Sequence, residues 1–112
     1  MGGPGTEDEK IITLARSARA RVAAAEGAAV RDETGRTYAA AAVNLPTLRL
    51  SALRLAVAMA VSSGATVLEA AALVSDAEAP DPGDLALVRD VGPGAVVFHV
   101  GADGAIRATL SP

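Results

Sequence analysis

The spacing of apolar positions changes several times along this chain, and each change marks an element. From Thr6 to about Ala24, Ile11, Leu14, Ala15, Ala18 and Val22 recur at helical spacing. Lys10, Arg16 and Arg19 take the opposite face. Thr6 followed by Glu9 has the form of a capping box, and Glu7, Asp8 and Glu9 suit the positive end of a helix. Glu26-Gly27 breaks that pattern. Ala28 to Val30 reads as a strand, Asp32 to Gly35 as a tight turn, and Arg36 to Val43 as the return strand. The run Ala39 to Ala42 has helical propensity, but the turn before it and Asn44-Leu45-Pro46 after it make it a strand.

Pro46-Thr47 then opens a helix to Ser62 or Ser63, with Thr47 as cap and Gly64 as the stop. Leu48, Leu50, Leu53, Leu55, Val57, Met59 and Val61 encircle that helix, which predicts burial on all sides. Thr66 to Ser75 is nearly continuous in apolar residues, so Val67 to Val74 is expected as a central strand covered on both faces. Asp76 to Pro82 is an acidic, proline-containing loop. Asp81-Pro82 starts a helix carrying Leu85, Leu87, Val88 and Val91. Gly92-Pro93-Gly94 stops it. Ala95 to Val100 is a strand expected beside Val67 to Val74. Gly101 to Gly104 turns, and Ala105 to Leu110 closes the chain as a short strand. The order α-β-β-α-β-α-β-β predicts an α/β fold: a three-layer α/β/α sandwich on a mixed sheet of about five strands.

Composition narrows the picture. The chain has 112 residues, which suits one domain over residues 6–112 behind a Gly/Pro leader, residues 1–5, expected to be disordered. It is 51% apolar but only 2% aromatic, so the core is built from small side chains. At about 25 cal/mol per Å² such a core is thin, and a subunit interface is expected to add to it. A net charge of −3 with dispersed arginines argues against a nucleic-acid surface. The absence of cysteine removes disulfides, thiolate metal sites and thiol nucleophiles, and fits a reducing compartment. No basic-then-apolar leader and no membrane-length apolar run is visible, so the expectation is a cytoplasmic protein with no membrane partner.

Four segments carry the chemistry-bearing positions: Gly27-Ala28-Ala29-Val30, Thr34-Gly35-Arg36-Thr37-Tyr38, Ser51-Ala52-Leu53-Arg54 and Pro82-Gly83-Asp84-Leu85-Ala86. Their order and spacing resemble those of free-nucleoside cytidine deaminases over roughly Ile11 to Gly104. That family shows Val-Gly-Ala-Ala before a hairpin, then Asn-Val-Glu, then Cys-Ala-Glu-Arg at one helix start and Pro-Cys-x-x-Cys at the next. Zinc deaminases hold a metal-bound water with a His or Cys from the first of those helices and two Cys from the second, while a Glu shuttles the proton.

The resemblance places Ser51 at the first ligand position, Leu53 at that of the Glu, and Gly83 and Ala86 at the cysteine pair. A shift of register offers Asp84 and Leu87 instead. No catalytic residue, metal site or cofactor is therefore expected. The resemblance also points to Arg54, which follows the family's Glu, and to Asn44, near the segment that grips the ribose, as ligand-binding positions. A structural salt bridge and a turn role are the plainer readings of these two.

His99, alone in an apolar strand, is expected to be a structural or edge histidine. Ser51 has no base in reach by sequence, and Gly101-Ala102-Asp103-Gly104 is a hairpin turn rather than a phosphate loop. Three readings stay open: a pseudoenzyme of the cytidine deaminase type acting through assembly or partner binding, a nucleoside or nucleotide sensor using the degenerate pocket, and unrelated chemistry in the same cleft. A homo-oligomer, dimer or tetramer, is expected through the helix Leu48 to Ser62, because a contiguous exposed apolar face is rare on monomers. The family packs its subunits through the same helices.

Overall fold

The computed structural model describes residues 5–112. The expected leader, Gly5 apart, lies outside them. In chain order the elements are α1 (Thr6–Arg21), β1 (Gly27–Asp32), β2 (Thr37–Ala41), β3 (Val43–Leu45), β4 (Leu48–Leu50), α2 (Ala52–Ser62), β5 (Leu68–Val74), α3 (Pro82–Val91), β6 (Val96–Val100) and β7 (Ile106–Leu110).

Five strands form one mixed sheet in the order β2-β1-β5-β6-β7. β1 runs antiparallel to both neighbours, β5 and β6 are parallel, and β7 returns antiparallel. The parallel pair is joined through α3, the crossover that parallel strands require. Alternate residues of each central strand feed opposite layers. Ala28, Val30, Ala71, Leu73 and Val97 join α2 and α3 on one face. Ala29, Ala70, Ala72, Val74 and Phe98 join Ile11, Ile12 and Ala15 of α1 on the other. The α/β/α sandwich expected from the sequence is thus the observed fold. β5 lies at its centre with β6 beside it, and every β5 residue except Glu69 is buried. Val67 precedes the strand and is 45% exposed, so the buried run starts one residue later than expected.

Small residues let the layers close. A Cβ at Gly27 would fall 2.2 Å from the Ala15 carbonyl oxygen, so β1 begins directly against α1. α1 ends at Arg21 rather than near Ala24, and Val22 leaves the apolar stripe at 60% exposed. Ala23 takes a left-handed φ of 51° to make the turn. The capping box does not form either. Gly5 is the cap, Thr6 lies inside the helix, and the Glu9 amide bonds the Gly5 carbonyl at 2.9 Å.

The larger correction lies between Ala42 and Ser51. The expected return strand is divided at Ala42, and a second hairpin, β3–β4, occupies the place given to a loop and the first turn of a helix. Pro46-Thr47 is its two-residue turn, so Thr47 caps nothing. The cap of α2 is Ser51, whose Oγ accepts from the Arg54 amide at 3.1 Å. Leu48 and Leu50 therefore belong to a strand, and the helix expected from Leu48 begins at Ala52. Nor does α2 bury all its sides. Ala52, Leu53, Ala56, Val57 and Ala60 make one buried stripe, and Met59 and Val61 are exposed. Alanines supply three of the five residues of that stripe, which a count of large residues alone does not reveal. No helix among the described residues is long and apolar enough to cross a membrane.

Candidate functional site

The N-termini of α2 and α3 meet the carboxyl end of β5 at a cleft of about 620 Å³. Open α/β sheets place ligand sites at the carboxyl ends of their strands. The β3–β4 hairpin walls one side with Asn44 and Arg49, and Ser75 lies at the end of the strand. Ser51, Arg54, Asp81, Asp84 and Glu26 bring charge and hydroxyl groups to the same space.

Each helix start is closed by a side chain. Asp81 caps α3, its Oδ1 accepting from the Gly83 amide at 2.7 Å. α2 is closed twice: Ser51 takes the Arg54 amide, and Glu26 Oε1 accepts from the Ala52 amide at 2.9 Å. These contacts satisfy amides that a helix leaves without partners and place negative charge at the positive end of each dipole. The two helices are then tied together. Arg54 Nε donates to Asp84 Oδ1 at 2.6 Å, a short charge-assisted bond. The Asp84 carboxylate holds the Arg54 guanidinium above its ordinary range.

Of the positions singled out in the sequence, Asn44, Ser51 and Arg54 line this one cleft. The salt bridge expected for Arg54 is present, with Asp84 as partner. Asn44 sits within β3 opposite Arg49, not in a proline-bounded loop. Leu53 does not line the cleft. It is fully buried in the core cluster with Val30 and Val57. Gly83 lies beside Arg54: a Cβ there would come 2.7 Å from the guanidinium nitrogen Nη2. Ala86 lies a turn further along α3 and is half-buried.

Zinc is the metal implied by the resemblance, and this donor set does not fit it. Zinc is held by thiolate, imidazole or carboxylate groups. Ser51 is committed to the Arg54 amide, Gly83 has no side chain, and Ala86 offers a methyl group. Arg54 brings positive charge beside Gly83, and a longer residue at 83 would have to displace it. Among the described residues no group of three His, Cys, Asp or Glu is arranged to hold a metal ion.

Three features of the cleft were not foreseen. Glu26 reaches Ala52 across 26 positions, a contact only the tertiary fold creates. Arg49 arrives because the hairpin replaces the expected helix turn. Ser75 Oγ lies 3.0 Å from His99 Nε2, and both residues are buried. His99 is therefore structural but not at an edge, since β6 has a neighbour on each side. Its Nδ1 has no partner among the described residues. Burial, and then the charge of Arg107, push its pKa below the ordinary histidine value.

The fold has clear relatives among solved structures. The cytidine deaminase of Burkholderia pseudomallei is similar with a TM-score of 0.78 at 22% identity, over 92% of this chain and 91% of that one. The cytidine deaminase of Mycobacterium leprae is similar with a TM-score of 0.66 at 21% identity, over 86% of this chain and 88% of that one. At such identities the likeness shows the fold. A search among curated proteins gives no match. The family described as cytidine deaminase-like matches residues 4–104, nearly the whole chain, and the protein belongs to that cytidine deaminase-like family.

Proposed function

We propose that this protein does not perform zinc-dependent deamination and works instead through assembly, with copies of itself or with a partner. The Arg54–Asp84 bridge carries this reading: an ion pair joins the two helix starts where the resemblance puts the metal ligands. Leu53 supports it, because the position of the proton shuttle is an aliphatic side chain inside the core. Fold alone does not transmit function; the groups at the site do.

Assembly is favoured by the outer side of α2. Met59 and Val61 are 38% and 48% exposed there, and Leu45 and Leu48 of the small hairpin are 53% and 48% exposed. Two-fold association through α2 would cover the helix side that the chain leaves bare. A cytoplasmic setting belongs to the same reading and fits the cysteine-free composition.

A second reading rests on the cleft. Asn44, Ser51 and Arg54 line one cavity of about 620 Å³, the size range of small-molecule sites. Cytidine is the substrate named by both similar structures, so a nucleoside is the ligand this reading assigns. Thermal unfolding with and without cytidine separates the two, since a ligand of the native state raises Tm. A saturable rise, absent in Asn44→Ala, would favour the pocket reading. An unchanged Tm in an oligomeric protein favours assembly.

A further inference from the structure

We propose that a second groove, between α1 and the β6–β7 turn, binds the phosphoryl group of a small soluble molecule. It has a volume of about 330 Å³ and lies on the α1 side of the sheet, beside Val74 at the end of β5. Its polar lining is Thr13, Arg16, Ser17 and Arg19, with no carboxylate. Two guanidiniums with two hydroxyls make a donor-rich surface, and guanidinium geometry matches phosphate oxygens in a bidentate way.

These arginines are placed by the fold. Arg19 Nε donates to the Ala25 carbonyl at 3.2 Å, which fixes its side chain at the end of α1. Arg16 lies over Gly104 of the β6–β7 turn, where a Cβ would come 2.9 Å from its Cζ. Arg107 lies over Gly101 in the same way, 2.6 Å from such a Cβ at its Nε. Two guanidiniums, Arg16 and Arg107, thus flank one turn, and Arg19 lines the groove with Arg16, in a chain whose net charge is −3.

Their charge is only partly met. Asp76, itself 65% exposed, faces Arg19 at 3.6 Å and Arg107 at 4.0 Å, both long for an ion pair. Arg16 has no ion pair among the described residues. Favourable interaction with the helix dipole accounts for Arg19 and Arg21 in the last turn of α1, but not for Arg16, which stands before it. The negative end of α1 disfavours an anion by roughly half a unit charge. Asp76 and Asp103 are the carboxylates nearby, and Asp103 is turned to the Ala105 amide of its own turn, so Arg16, Arg19 and Arg107 leave the groove net positive.

The test is isothermal titration of the full chain with inorganic pyrophosphate at constant ionic strength, in wild type, Arg16→Gln, Arg19→Gln and Arg89→Gln. Arg89 lies on α3, away from the groove, and controls for overall charge. Vesicles containing phosphatidic acid are assayed in parallel, to separate a soluble phosphate from a lipid headgroup. The proposal expects saturable binding of one pyrophosphate per chain, weakened about tenfold or more in both groove variants and kept in Arg89→Gln. No saturable binding at millimolar pyrophosphate would overturn it. Equal weakening in all three variants, wild-type affinity in either groove variant, or binding to vesicles alone would do the same.

Discussion

Arg54 and Asp84 are joined at 2.6 Å but share the solvent unequally: the Arg54 side chain is 50% exposed and that of Asp84 only 6%. Removing either end therefore has different consequences. Arg54→Gln strands a carboxylate in a place with little water, whereas Asp84→Asn leaves a guanidinium that water can reach. Arg54→Gln is expected to lower Tm more than Asp84→Asn, measured by thermal unfolding near neutral pH. An equal or reversed order would mean that the pair does not shield the carboxylate.

Leu53 gives the second prediction. Its side chain is wholly enclosed in the layer between the sheet and α2. Leu53→Ala should cost about 2–5 kcal/mol through lost contacts and a cavity. Leu53→Glu, which restores the family's acid, buries an unpaired carboxylate and should cost about 3 kcal/mol or more. Urea titration of both variants checks this. A Leu53→Glu protein as stable as the parent would show that position 53 can turn toward the cleft.

The third concerns pH. His99 is the chain's one histidine, and its folded pKa is depressed by burial and then by Arg107. Above the ordinary value of 6.5 both folded and unfolded forms are neutral, so this group adds no pH dependence. Below it the unfolded chain takes up a proton that the folded chain resists. Stability is thus full above that value and is lost as pH falls from there through the folded pKa. Tm should decline as pH is lowered from about 7 toward about 5.5, and the decline should shrink in His99→Asn. A wild-type profile flat over that interval would contradict the assignment.

Association is the fourth. The exposed Met59 and Val61 on α2 predict a particle larger than the 11.1 kDa chain in light scattering. Met59→Glu should shift it toward the monomer by placing a charge in an apolar contact. A wild-type monomer at dilute concentration would remove the assembly reading.

The sequence was most informative where a pattern repeats. The continuous apolar run of β5 and the cap-then-proline start of α3 at Asp81-Pro82 were legible because each follows from local chemistry. The β3–β4 hairpin was not. Leu48-Arg49-Leu50 is only three residues long and flows into an apolar helix, so the helical signal absorbed it. Ser51 shows the same limit, since a serine before an apolar run is a cap signal that a preceding Pro46-Thr47 outcompeted. At the cleft, Arg54 and Asn44 could be named from the resemblance to cytidine deaminases. Their partners could not, because Asp84 lies 30 positions from Arg54 and Glu26 lies 26 from Ala52. The Ser75–His99 contact depends on the register of two strands and has no signature of its own.

In this member of the cytidine deaminase-like family, an ion pair stands where the resemblance puts the metal ligands, and we propose that it replaces the metal chemistry. The most direct measurement is ammonia release from cytidine by tag-free protein supplied with zinc, with metal content determined on the same sample. The account predicts no turnover above the buffer rate and no stoichiometric zinc. One zinc per chain, or chelator-sensitive release of ammonia, would contradict it.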